Sequence, residues 1–501
     1  MEVLGYFIAI LTPTNLLWIT VASLAGTLLG ALPGISATTA IAIFLPVTYS
    51  MEPVTGLITM AAIYVTASYG GNITAVLINT PGTDDSLFMT IDGYPMTVKG
   101  EGLKAVGVTT FSAFIGGIIG GFALLFIAPP LAKIAIRFGP VELFLTSLMG
   151  IVIIVGLTKG SMLKGLISAS LGFLCAAVGL DKVTGLPRLW FGIEPLYDSL
   201  PLLPTILGLF AVSQLFILAA SDSETIVTDV KSMKGGTFIK LSEHYHMFFN
   251  NIRSAVIGTV VGIIPAAGTT VAAGLSYNIA KRTDKHPETF GEGNPQGLAS
   301  VSAANNAVVG GSLVPLLTLG IPGNGTSALF LGGLLIHGLS PGAQLFTTTP
   351  DIAYGLIFGL IIANFFILGL GLFGAAFYAK VTVIPTNILI PIVGSFIILG
   401  AYTSRQLIFD MYLILFFGIV GYFMIRTQFS MAPFVLAFVL GKIVETQFRR
   451  AIMLYGMGFF DKLMNPLPMT LLIVNIVFFF SPFMPDIKAF IKRKRQSDKV
   501  A

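Results

Sequence analysis

The sequence is poor in the residues that most chemistry needs. There is one cysteine, Cys175, in 501 residues, so an internal disulfide framework and a cysteine-based zinc site are both excluded. Four histidines, His244, His246, His286 and His337, are too few and too scattered for a haem or multi-copper centre. Charged residues make up only 10% of the chain, where a soluble protein carries roughly 25%. No G-x-x-x-x-G-K-[ST] phosphate loop occurs, so the chain supplies no ATPase of its own. The net charge of +5 is no nucleic-acid signature, because the basic residues sit in short stretches and in the tail from Lys488 to Lys499. Met1 to Ile10 has an acid and no basic cluster, so no cleavable leader is expected there.

What is present is apolar. Hydrophobic residues reach 55%, mean hydropathy is +0.90, and there are 56 glycines and 40 phenylalanines. Glycine is favoured where helices approach closely in lipid. Apolar runs here reach about 20 residues, whereas the strands of a membrane barrel alternate over roughly 10. The expectation is an all-α polytopic membrane protein, with about 10 to 14 full spans and several shorter pieces serving as half-helices or re-entrant hairpins.

Two polar stretches interrupt the pattern, at 221–253 and 281–297. The expected organisation is a first transmembrane repeat over 1–220, a polar linker over 221–253, a second repeat over 254–487 and a basic tail over 488–501. The positive-inside rule puts the basic stretches and the C-terminus in the cytoplasm.

The halves share a pattern. Gly30-Ala31-Leu32-Pro33-Gly34-Ile35-Ser36 returns as Gly262-Ile263-Ile264-Pro265-Ala266-Ala267-Gly268, with Pro265 standing 232 residues after Pro33. Gly70-Gly71-Asn72-Ile73 leads to Pro81-Gly82, as Gly310-Gly311-Ser312-Leu313 leads to Pro322-Gly323. A weaker match pairs Pro140 with Pro385 and Thr158 with Thr403. Three matches in one order indicate a duplicated unit. With an odd number of spans per unit, the copies enter the membrane in opposite senses, and inverted-topology repeats whose broken helices meet at a midplane site are expected.

Four breaks interrupt apolar runs: at Pro33, Gly34 and Ser36; at Asn79, Thr80, Pro81, Gly82 and Thr83; at Pro265, Gly268, Thr269 and Thr270; and at Pro322, Gly323, Asn324, Thr326 and Ser327. Proline removes a backbone donor, and lipid cannot satisfy the freed groups, so such breaks belong inside protein or beside a wet cavity. A helix start after each break offers free amides to a carboxylate. The preceding helix end, with Ser, Thr and Asn oxygens, suits Na⁺. These residues are the expected substrate-binding set.

Asn72, Asn305 and Asn306 are amides in apolar runs, which either pair across helices or offer oxygens to a cation. Asp84 and Asp85 directly follow the second break and either cap a helix or take part in cation or proton coupling. Those five are the candidate coupling-ion residues, and no other cofactor is expected. Glu142, just after Pro140, reads as a structural acid at a helix start, and His244 and His246 read as polar loop.

Several motifs carry a family resemblance. They are Gly30 to Ile35, Tyr69 to Gly82 (YGGNITAVLINTPG), Asp92-Gly93-Tyr94-Pro95-Met96, Gly208 to Ser213, Ala304 to Ala307, Leu317 to Gly323 and His337 to Gly342. In this order and spacing the chain resembles, from about Leu16 to Pro482, the large permease subunit of tripartite tricarboxylate transporters, the TctA family. The resemblance implies a multi-pass protein of the bacterial inner membrane that is not an enzyme. It also implies a small TctB-like membrane subunit, a periplasmic TctC-like solute-binding protein, and uptake of organic carboxylates with Na⁺ or H⁺, without an ATPase subunit. Members commonly carry small or hydroxyl residues where this chain has Asp84-Asp85, and Glu where it has Ser302. The tricarboxylate specificity thus stays open toward dicarboxylates and other small acids. A stand-alone ion-coupled carrier, a channel and an intramembrane enzyme are the alternatives.

Overall fold

The computed structural model describes residues 2–32, 35–80, 86–156, 162–181, 184–220, 236–239, 241–265, 268–381 and 386–480. Among them the chain is helical almost throughout. The helices in order are α1 (Glu2–Ile10), α2 (Pro13–Gly30), α3 (Ala37–Tyr49), α4 (Pro53–Ile78), α5 (Leu87–Val98), α6 (Gly102–Ala135), α7 (Pro140–Gly156) and α8 (Met162–Ala176). A two-stranded hairpin follows, β1 (Gly179–Leu180) with β2 (Pro187–Arg188). Then come α9 (Leu202–Ile206), α10 (Ser213–Ala219), α11 (Leu241–Ile263), α12 (Gly268–Thr283), α13 (Pro295–Leu319) and α14 (Gly325–Ile336). The remainder is α15 (Leu345–Thr348), α16 (Pro350–Val381), α17 (Thr386–Arg405), α18 (Ile408–Arg426), α19 (Met431–Tyr455), α20 (Phe459–Leu463) and α21 (Pro466–Phe480).

Eight helical stretches among the described residues are long and apolar enough to cross a membrane, and six apolar helices are shorter. This is a multi-pass α-helical membrane protein. Eight is the number among the described residues, against about 10 to 14 full spans expected from the whole sequence. Helices α5 and α14 have 12 residues each, about 18 Å at 1.5 Å per residue, against about 30 Å of hydrocarbon. Helix α11 starts at Leu241, so part of the stretch read as a polar linker is helical.

The chain divides into two compact units, Met1–Ile136 with Pro201–Phe423, and Arg137–Leu200 with Met424–Ala501. In the first, α4 and α13 are buried along their whole apolar lengths. Helix α4 packs on α2 and α16, and α13 packs on α6 and α11. The two run antiparallel: Tyr64, in the first half of α4, reaches Ser312, near the end of α13, at 3.2 Å. At the opposite ends, Gly93 of α5 sits between Val76 of α4 and Leu298 of α13.

Glycines set the helix spacing, and they do so in matched pairs. Gly26 and Gly30 of α2 lie against the carbonyls of Ile63 and Ala67 on α4, so closely that a Cβ at Gly30 would overlap the Ala67 oxygen. Gly258 and Gly262 of α11 lie against the carbonyls of Ala304 and Val308 on α13. Gly70 faces Thr27 and Gly30, as Gly311 faces Thr259 and Gly262. Each α11 residue stands 232 positions after its α2 counterpart, and Ala304, Val308 and Gly311 stand 241 after Ile63, Ala67 and Gly70. The same helix pair is therefore built twice, with backbone-to-backbone approach replacing the hydrophobic drive that lipid removes.

In the second unit α19 packs on α7 and α8, and α7 on α21. Val141, Leu145 and Ala451 form its core. Gly172 of α8 lies against the Phe434 carbonyl of α19, and Ser168 Oγ donates to the Ser430 carbonyl at 2.6 Å. Glu142 Oε2 accepts from the Gly139 amide at 2.9 Å, the structural role expected of it at the α7 start.

Candidate functional site

All four breaks lie within the first unit. Pro33, Gly34, Pro81, Gly82, Thr83, Asp84 and Asp85 are outside the described residues, so the geometry comes from the residues around them. Each break separates a longer helix from a shorter one: α2 from α3, α4 from α5, α11 from α12 and α13 from α14. Helices α4 and α13 end alike, on left-handed residues, Asn79 at φ 55° and Gly320 at φ 73°. Glycine and asparagine tolerate that conformation best, and the reversed chain there lets the freed carbonyls be reached. The Asn79 amide accordingly donates back to the Thr74 carbonyl, and the Gly320 amide to Leu316.

The structure brings three of the breaks together. Thr38, in the first turn of α3, and Thr326, in the first turn of α14, join their hydroxyls at 2.8 Å. Gly323 sits against the Ser312 backbone and the Gly262 carbonyl, with no room for a side chain. The break at Pro322 thus touches the end of α11 as well as α3. Pro322 is buried and Pro265 half-buried. Around the second break, Asn79 is exposed and Thr80 turns its hydroxyl onto the Ile78 carbonyl at 3.2 Å.

Two of the helix starts use their own side chains. Ser36 Oγ accepts from the Thr39 amide at 3.2 Å. Asn324 Oδ1 accepts from the Ser327 amide at 2.8 Å, and the Asn324 amide donates to Ser327 Oγ at 2.8 Å, a reciprocal capping box. A cap satisfies one or two of the four orphan amides of a helix start. Ser36, Asn324 and Ser327 are therefore spoken for by the backbone. Gly268, at φ 77°, and half-buried Thr269 and Thr270 open α12.

The three asparagines behave differently. Asn72, Asn305 and Asn306 are fully buried, and neither polar atom of any side chain has a hydrogen-bond partner among the described residues. The interhelical pairing that would account for them is not made. Asn305 lies seven residues before Ser312, two helical turns, and so on the α13 face that meets Tyr64 of α4. Asn72 lies eight residues beyond Tyr64 on α4. Because the helices are antiparallel, that step brings Asn72 to the level of Asn305. A buried amide without a partner costs about 1–3 kcal/mol, and each of these three side chains leaves both of its polar atoms unmet among the described residues.

Two participants lie outside the expected site residues, although Asp92 belongs to one of the family motifs. Tyr64 is buried between the repeats, its hydroxyl 3.2 Å from Ser312 Oγ and accepting from Asn324 Nδ2 at 2.8 Å. One tyrosine in an apolar run looks like packing until α13 is placed beside it. Asp92 is the other. Its carboxylate, wholly buried, accepts from Tyr277 Oη at 2.9 Å and from the amides of Gly291, Gly293 and Asn294 at 2.8, 3.0 and 2.8 Å. It thereby ties α5 to α12 and to the turn that starts α13. Ser302 donates its one hydroxyl proton to the Thr109 carbonyl at 2.7 Å. Among the described residues no group of three or more His, Cys, Asp or Glu could hold a metal ion.

Comparison with known proteins agrees with this architecture. The model of the tripartite tricarboxylate transporter TctA family matches residues 16–436. An Agrobacterium vitis protein, described as an uncharacterized 52.8 kDa protein in the TAR-I ttuC' 3' region, is 35% identical over 481 residues, 96% of this chain and 95% of its own. Another Agrobacterium vitis protein, described by the TAR-II ttuC' 3' region, is 34% identical over 232 residues, 46% of this chain and 96% of its own. No solved structure matches. A whole-chain match of this kind, on a multi-pass helical protein, fixes the family: the chain belongs to the tripartite tricarboxylate transporter TctA family, a family of transport permeases and not of enzymes.

Proposed function

We propose that this permease takes up small organic carboxylates of the tri- and dicarboxylate class by ion-coupled secondary transport in the bacterial inner membrane, with its C-terminus in the cytoplasm. A periplasmic solute-binding protein delivers the solute, and a small membrane subunit completes the assembly. The observation that supports the reading is that Asn72 of α4 and Asn305 and Asn306 of α13 are buried without a partner among the described residues, in the unit where the helix starts of α3 and α14 meet at Thr38 and Thr326. Amide oxygens suit a monovalent cation, and the amides after the breaks suit a carboxylate. The residues following Pro33, Pro81, Pro265 and Pro322 hold the solute. Asp84 and Asp85 supply charge beside the second break, where they tune coupling to Na⁺ or H⁺.

The repeats are proposed to be inverted. Support comes from the twice-built glycine pairs and from the antiparallel run of the equivalent helices α4 and α13. Such copies exchange conformations about a fixed central site, which yields alternating access.

The test is uptake of labelled carboxylates into vesicles containing the permease and its small subunit, with the loaded binding protein outside. Uptake is expected to follow an imposed Na⁺ or H⁺ gradient and to fall at least tenfold in Asn305→Ala and Asn72→Ala. Uptake that ignores both gradients and requires ATP overturns the reading.

A further inference from the structure

The second unit carries a cavity that the transport site does not use. It has a volume of about 350 Å³ and is walled by Phe144 of α7, Phe173 of α8 and Ala177 just after it, and Val444 and Phe448 of α19, with Arg188 and Glu445 at its polar side. That size lies within the roughly 300–1,000 Å³ of small-molecule pockets, and an apolar wall with a few polar groups is their usual chemistry. Phe144 stands at the start of α7 and Ala177 just beyond the end of α8. On α19, Lys442, Glu445, Arg449 and Arg450 follow an uncharged run of apolar residues. All three helices thus change from apolar to polar at this level, as they do at a membrane–water boundary.

The polar side has a definite charge order. Arg188 holds Glu445 through both terminal nitrogens, at 2.9 and 3.1 Å. Arg449 bonds Glu445 at 2.8 Å and Asp181 at 2.8 Å. Two cations alternate with two carboxylates, and the set is neutral. Arg188, Glu445 and Arg449 are each about one-third exposed, at 36, 34 and 32%, so their outward faces are open to a ligand. Beside Arg188 the hairpin carries exposed Leu186, Leu189 and Phe191, the last at 76%. Leu189 and Phe191 adopt φ 49° and 53°, a left-handed conformation costly for such residues. The strained turn holds apolar side chains outward at the level of the charges, where acyl chains and headgroups meet.

We propose that this cavity is a binding site for a zwitterionic phospholipid with a primary ammonium headgroup, of the phosphatidylethanolamine type. One acyl chain fills the space between Phe144, Phe173 and Phe448. The phosphate takes the remaining guanidinium protons of Arg188 and Arg449, and the ammonium donates to Glu445. A purely anionic headgroup gains less, because the carboxylates oppose it. A quaternary ammonium lacks the protons to donate.

The experiment uses the full chain in nanodiscs of equal amounts of phosphatidylethanolamine, phosphatidylcholine and phosphatidylglycerol, followed by gentle extraction and native mass spectrometry. Retained lipid is expected to be enriched at least fivefold in phosphatidylethanolamine. In Ala177→Phe, which fills the cavity and leaves the charges alone, that enrichment is expected to vanish while circular dichroism and elution volume stay unchanged. Glu445→Gln is expected to keep lipid and lose the preference over phosphatidylcholine. Equal retention of the three lipids, or unaltered enrichment in Ala177→Phe, overturns the proposal. So does an Ala177→Cys variant that crosslinks to the small membrane subunit and not to a lipid probe, since a protein helix then fills the space.

Discussion

At the scale of single residues, the same chemistry appears in two states. Asn324 is an amide with every visible duty assigned: it caps α14 and donates to Tyr64. Asn305, on a neighbouring helix, is buried with none among the described residues. The contrast predicts opposite responses. Asn324→Ala is expected to lower stability by about 1 kcal/mol through the lost cap, read as a lower Tm in detergent. Asn305→Leu is expected to leave Tm equal or higher, because replacing an unsatisfied buried polar group by an apolar one removes a penalty of about 1–3 kcal/mol, while uptake falls. A drop in Tm of more than a few degrees in Asn305→Leu means that the amide has a structural partner. Asp92 is the residue with most to lose. Asp92→Ala strands three amides and a tyrosine hydroxyl at once, and hydrogen bonds to charged groups contribute about 1.5–3 kcal/mol each. Loss of the folded protein, or a large fall in Tm, is the expected outcome, measured by fluorescence-detected size exclusion.

At the scale of elements, the helix pairs α2–α4 and α11–α13 depend on missing side chains. Backbone contact at Gly30 and Gly262 leaves no space for a Cβ, so a larger residue must force the helices apart. Overpacking costs about 1–3 kcal/mol. Gly30→Val and Gly262→Val are expected to destabilise to similar extents, because the two sites are counterparts. Thermal unfolding of both variants tests this, and strongly unequal losses argue against equivalent pairs. These contacts were legible only in part. The repeat offsets and the glycines stand in the sequence, but the partner carbonyls of Ala67 and Val308 belong to residues with no distinguishing chemistry.

At the scale of the whole molecule, the compact units cut across the repeats: each takes one segment from the N-terminal half and one from the C-terminal half. A boundary drawn from polar stretches follows the chain, whereas units follow packing, which explains why the stretch 221–253 does not divide one unit from the other. Coupling is the whole-molecule property most open to test. The double variant Asp84→Asn with Asp85→Asn is expected to shift the Na⁺ or H⁺ dependence of uptake in vesicles. An unchanged ion dependence assigns both acids to helix capping.

The sequence by itself determined the class, the family and the four interruptions, because those rest on local facts: length of apolar runs, fixed φ at proline, motif order. It also named Asn72, Asn305 and Asn306, since an amide in an apolar run is conspicuous wherever it lies. Only the tertiary structure decided which of the polar groups near the breaks are already satisfied. It turned Ser36, Asn324 and Ser327 into caps, gave Tyr64 and Asp92 partners from the other half of the chain, and left the three asparagines without any among the described residues. Satisfaction of a buried polar group is a property of its neighbours in space, and those neighbours stand as many as 260 residues away along the chain.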